Sequence, residues 1–88
     1  MTMELNVTIK LKHGVADPEG ENTKKALNLL GFRNVRSVKS LKSFRIEIES
    51  GEGEDEEKVK QEVEEMCRKL LANPVIHDYD IVVVKKEG

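Results

Sequence analysis

"CRKLLANPVIHDYDIVVV", Cys67–Val84, joins a helical pattern to an apolar strand within a few residues. Upstream of the joint, Val59, Val63, Met66, Cys67, Leu70 and Leu71 recur at i, i+4, i+7, i+8, i+11 and i+12. That spacing is one apolar stripe on a helix, and it predicts a helix from Glu56 to Ala72. Asn73 and Pro74 end it, because proline disfavours helical geometry in the residue before it. Tyr79–Val84 then reads as a strand. A helix that buries one stripe and feeds straight into a strand implies a helix lying on a sheet.

The rest of the chain supplies that sheet. Leu5, Val7, Ile9 and Leu11 alternate with Asn6, Thr8, Lys10 and Lys12, the period of a strand with one buried face. "HGVADPEG" (His13–Gly20) is a loop ending in a helix start: Asp17 can cap and Pro18 fits the first helical position. This helix is expected to run to Leu30, with Thr23, Ala26, Leu27 and Leu30 on its inner face and Gly31 as its stop. Asn34–Leu41 is a weaker strand pattern, with Val35 and Val38 out of strict alternation. Phe44, Ile46 and Ile48 alternate with Arg45, Glu47 and Glu49 in a clear strand. Lys42 and Ser43 are the expected tight turn between the two, although they lack the Gly or Asn of the best hairpins. The acidic run Ser50–Glu57 reads as a solvated loop whose end suits a helix N-terminus. Its acids lack the spacing of a calcium loop.

The order is strand, helix, strand, strand, helix, strand. It predicts an α+β, two-layer βαββαβ fold of the ferredoxin-like kind, an antiparallel sheet with two helices on one face, as one domain over residues 1–88. One feature of the last strand bears on assembly. Ile81 and Val83 serve one face, and Val82 and Val84 make the other face apolar too. The outer face of a two-layer sheet otherwise meets water, so Val82 and Val84 are expected at an interface between copies of the chain.

Composition narrows the function. Fifteen Lys and Arg stand against 17 Asp and Glu, a net charge of −2. That balance lacks the basic face of a nucleic-acid binder, and the strands lack the exposed aromatics of an RNA-binding sheet. One cysteine excludes an internal disulfide and a two-cysteine metal motif. No apolar run approaches the roughly 20 residues of a membrane helix, and the N-terminus lacks the apolar core of a signal peptide; a cytoplasmic location is expected. Cys67 lies on the apolar stripe near a helix C-terminus, the setting of a buried small hydrophobe rather than a nucleophile. His13 and His77 form no ligand spacing, although His77 is placed to meet the end of the preceding helix. The glycines of "GVADPEG" match no phosphate loop, and Asp17 and Glu19 would repel an anion. No catalytic residues, cofactor site or metal site are expected.

"LKHGVADPEG" (Leu11–Gly20), "LNLLGF" (Leu27–Phe32) and "EEMCRKLLANPVIHDYDI" (Glu64–Ile81) together resemble the PurS family over nearly the whole chain. Where that family commonly carries Gly-Lys after the second strand, this chain has "VKSLKSF", with Lys42 as the counterpart of the lysine. The resemblance implies a small, non-catalytic subunit of phosphoribosylformylglycinamidine (FGAM) synthase, an ATP- and glutamine-dependent ligase of purine biosynthesis. It implies that the subunit oligomerises and bridges a PurL-type synthetase and a PurQ-type glutaminase, aiding assembly and ammonia transfer. Asp17, Pro18 and Gly20 of the first loop, and Asn73, Pro74, Val75, Ile76, Asp78 and Tyr79 of the joint, are then the expected partner contacts. Asp17, Pro18, Asn73 and Pro74 equally serve as helix terminators. The alternative is a free-standing regulatory module that binds a small ligand, since this fold class hosts many functions.

Overall fold

The computed structural model describes residues 2–49, 51 and 55–87. Three strands form one antiparallel sheet: β1 (Thr2–Leu11), β2 (Lys42–Glu49) and β3 (His77–Glu87), in the order β2-β1-β3. The helices are α1 (Pro18–Leu29) and α2 (Glu56–Met66), and α2 continues into a π-helical turn, Cys67–Leu71. The α+β class and the antiparallel sheet agree with the sequence pattern. Much of the Ser50–Glu57 loop lies outside the described residues, but its end behaves as expected: the Asp55 carboxylate accepts from the Lys58 N–H at 2.8 Å and caps α2.

Period two in β1 does what it predicts. Met3, Leu5, Val7 and Ile9 are buried on the inner face, where Val59, Val63 and Cys67 of the second helix pack on them. Opposite β1, Phe44, Ile46 and Ile48 of β2 and Tyr79, Ile81 and Val83 of β3 continue the same face. The register of β3 slips once, between Glu4 and Leu5, which pair with Lys85 and Val83. Val84 is the extra residue of that bulge.

Three expectations need correction. Asn34–Leu41 is not a strand, and Lys42 and Ser43 are not a turn; both belong to β2 and pair with Ile9 and Thr8. Without Gly or Asn to reverse the chain there, the hairpin does not close, and the segment before Lys42 runs away from the sheet. The helix α1 follows it outward. Thr23, Ala26 and Leu30 are exposed and only Leu27 is half-buried, so α1 has no seat on its own sheet and the inner face carries one helix, α2. Leu70 is exposed rather than part of the core stripe. The π turn accounts for this: the Ala72 N–H donates to the Cys67 carbonyl, an i→i+5 bond of 2.9 Å. The wider turn brings Leu71 and Ala72 inward in place of Leu70.

Candidate partner interface

The first loop and the joint lie far apart in sequence and meet at one end of the sheet. The Lys12 N–H donates to the Ile76 carbonyl at 2.8 Å, extending the β1–β3 ladder into both loops. The joint is a closed turn. The Asn73 carbonyl accepts from the Ile76 and His77 N–H groups (3.1 and 2.8 Å), and its side-chain Oδ1 accepts from Val75 N–H at 3.0 Å. The Asn73 N–H donates to Nδ1 of His77 at 2.9 Å. His77 thus does meet the end of the helix, accepting through Nδ1. An Asn that bonds its own backbone two residues on is a turn device, and it leaves Pro74 and Val75 on an exposed tip.

The first loop is fixed through Asp17. Its carboxylate accepts from Gly20 N–H (3.0 Å), Ser40 N–H (2.8 Å) and the Ser40 hydroxyl (2.7 Å). One side chain therefore caps α1 and pins the returning segment to it. These bonds, that of the Ser40 hydroxyl foremost, hold the Asp17 carboxyl below its ordinary pKa. Gly20 is buried against the same segment, and a Cβ there would run into the Val38 carbonyl oxygen. Of the expected contact residues, Gly20 is thus packed between α1 and the returning segment, while Pro18 stays exposed.

Two open, charged grooves result. Asp17 and Asp78 line one, of about 340 Å³, together with Lys10, Lys12, Ser40 and Leu41. Pro74, His77, Asp78 and Tyr79 line the other, of about 520 Å³, with Lys10, Lys12 and Arg68. Lys10 is paired to Asp80 at 3.2 Å across both exposed side chains. The cations Lys10, Lys12 and Arg68, and the pin Ser40, are absent from the sequence expectations. Lys10 on β1 and Lys12 just past its end sit at alternate positions next to the joint, a signal that only the pairing with β3 makes legible. Val82 and Val84 are exposed on β3, on the strand beyond Asp80, which lines the second groove. Cys67 is fully buried, and burial pushes its thiol pKa up. Among the described residues no three His, Cys, Asp or Glu side chains converge as a metal site, and no helix is long and apolar enough to cross a membrane.

Residues 4–85 match the family model for PurS, phosphoribosylformylglycinamidine (FGAM) synthase. The chain belongs to the PurS family. It is 62% identical over 81 residues to the PurS subunit of Methanocaldococcus jannaschii, covering 92% of this chain and 94% of the relative. It is 58% identical to that of Archaeoglobus fulgidus, over 91% and 96% of the two chains. The crystal structure of the M. jannaschii PurS matches with a TM-score of 0.80 at 57% identity, over 99% of this chain and 100% of that one. The structure of PurLQS from Thermotoga maritima contains a chain that matches with a TM-score of 0.85 at 26% identity, over 96% and 99%. A PurS chain is the small subunit of FGAM synthase, a ligase of purine biosynthesis.

Proposed function

We propose that this chain, as one cytoplasmic domain, bridges the PurL-type synthetase and the PurQ-type glutaminase of FGAM synthase and takes no part in bond making. One observation carries this. Two of the stretches that carry the family resemblance, Leu11–Gly20 and Glu64–Ile81, lie far apart in the chain, and their residues line open grooves rather than an enclosed pocket. An enclosed, mostly apolar pocket is the usual small-molecule site; open, charge-lined grooves suit the rim of a protein interface. Asp78, Tyr79 and Pro74 with the neighbouring Lys10, Lys12 and Arg68 form one contact, and the Asp17–Pro18 corner with Asp78 forms the other.

The chemistry gives a reason for a bridge. Ammonia released into neutral water is protonated and loses its nucleophilicity, so a path closed by docked subunits keeps it reactive. Reconstitution with PurL and PurQ from the same organism tests the reading. The chain should be required for the glutamine-dependent reaction and much less for the reaction with ammonia as donor. Asp78→Ala and Tyr79→Ala should weaken complex formation; full assembly with both variants would remove these residues from the contact. A chain that changes neither reaction and joins no complex refutes the bridge, and a stability gain with a small ligand would then favour the regulatory module.

A further inference from the structure

The second helix hands its last amide to a side chain whose bonding depends on its charge. The Ala72 N–H closes the π turn on the Cys67 carbonyl. The next amide, that of Asn73, leaves the helical ladder and donates to Nδ1 of His77 at 2.9 Å. His77 is the first residue of β3 and is held opposite Leu11, with the Lys12 N–H bonded to the Ile76 carbonyl just before it. The Asn73–His77 bond therefore straps the end of the helix to the start of the strand, across the exposed tip Pro74–Val75. The other bonds of the turn also run through Asn73: its carbonyl takes the Ile76 and His77 N–H groups, and its Oδ1 takes that of Val75. Fixing Asn73 fixes the tip.

Those other bonds have amide oxygens as acceptors and are indifferent to pH. An imidazole nitrogen accepts only while the ring is neutral; in the imidazolium both nitrogens are donors. Protonation sets a ring N–H against the Asn73 N–H, and the attraction becomes a repulsion. An ordinary imidazole takes up its proton at about pH 6.5. Charges face His77 from every side. Asp78 and Asp80 of β3 and Glu19 of α1 line the grooves beside it and attract the charged ring. Lys10 of β1, Lys12 just past it, Lys42 of β2 and Arg68 of the π turn line the same grooves and oppose it. Lys10 is already paired with Asp80, and Arg68 with Glu64. Tyr79 is the remaining titratable group there.

We propose that His77 is a pH-sensitive latch on the joint. Neutral, it holds the turn Asn73–His77 closed; protonated, it releases the Asn73 amide and the tip loosens. The bond exists only for the neutral ring, so closure is complete at high pH and is lost as pH falls. Pro74, His77, Asp78 and Tyr79 line the second groove, so opening the joint weakens what docks there. That consequence rests on the bridging reading above; the latch itself does not.

NMR on the purified full-length chain tests the latch. From about pH 7.5 to about pH 5.5, the Asn73 amide should shift with the same midpoint as the His77 ring and lose roughly fivefold of its protection against hydrogen exchange, the worth of one such bond. The amide of Val7, buried in the central strand, should keep its protection. His77→Asn retains an acceptor oxygen on the same Cγ but takes up no proton, so its Asn73 amide should stay protected throughout, while in His77→Ala it should be unprotected throughout. An Asn73 amide that keeps its protection while the His77 ring titrates overturns the latch, whether or not the variants fold. The same pH-dependent loss in His77→Asn overturns it as well. For docking, affinity for the PurL and PurQ subunits should fall more between the two pH values in the parent chain than in His77→Asn. Equal falls overturn the control of docking by the latch. A parent chain that joins no complex at either pH defeats the bridge, and the NMR result still decides the latch.

Discussion

Replacing Gly20 by alanine sets two effects of known sign against each other. Gly20 is in the first turn of α1, and alanine is the better helix former by about 1 kcal/mol. On propensity alone the variant is stabilised. The space around it says otherwise. A Cβ there meets the Val38 carbonyl oxygen, which is backbone and cannot swing aside, and lies 2.6 Å and 3.0 Å from Oδ2 and Cγ of Asp17. To admit the methyl group, the returning segment must move off the helix, which also strains the bonds from Ser40 to Asp17. Forcing one extra carbon into a packed site costs about 1–3 kcal/mol. Backbone on one side and a hydrogen-bonded carboxylate on the other place this site at the upper end, so the net is a loss of about 1–2 kcal/mol. With a urea slope of about 1–3 kcal/mol/M, the midpoint should fall by roughly 0.5–1.5 M, read by circular dichroism at one fixed protein concentration because association contributes. A midpoint equal to or above that of the parent chain would refute the close packing of α1 on residues 38–40.

Other outcomes follow from the same contacts. Asp17 has its folded pKa below the ordinary value of about 3.9, so its share of stability is present above that value and is lost as pH falls through the folded pKa. Ser40→Ala removes the largest cause, and the Asp17 carboxyl titration followed by NMR should move upward. Val63→Ala empties a site with no solvent exposure between α2 and β1 and should cost about 2–3 kcal/mol in thermal or urea unfolding. Asp80→Asn breaks only an exposed pair with Lys10 and should change stability by less than about 0.5 kcal/mol. Cys67, buried and with its thiol pKa raised, should resist an aromatic disulfide reagent until the chain is unfolded.

Local patterns in the sequence carried most of the framework. The alternation in β1 and β2, the stripe Val59–Val63–Cys67 and the cap at Asp17 all act between neighbours or within one turn, and each is realised. What was not legible depends on distance. Leu27 and Leu30 mark an apolar face whether the cover is the chain's own sheet or another chain's, so periodicity could not place α1. Val35 and Val38, three residues apart, fit neither face of a strand cleanly, and the weak turn at Lys42–Ser43 left the hairpin without a reason to close. The π turn reassigns Leu70 and Leu71 through a single i→i+5 bond. At the candidate interface, the stretches at Asp17–Gly20 and Asn73–Tyr79 were legible as a pair, while Ser40, Lys10 and Lys12 joined them only through pairing across 23 residues or more, and Arg68 only as a lining residue of the second groove.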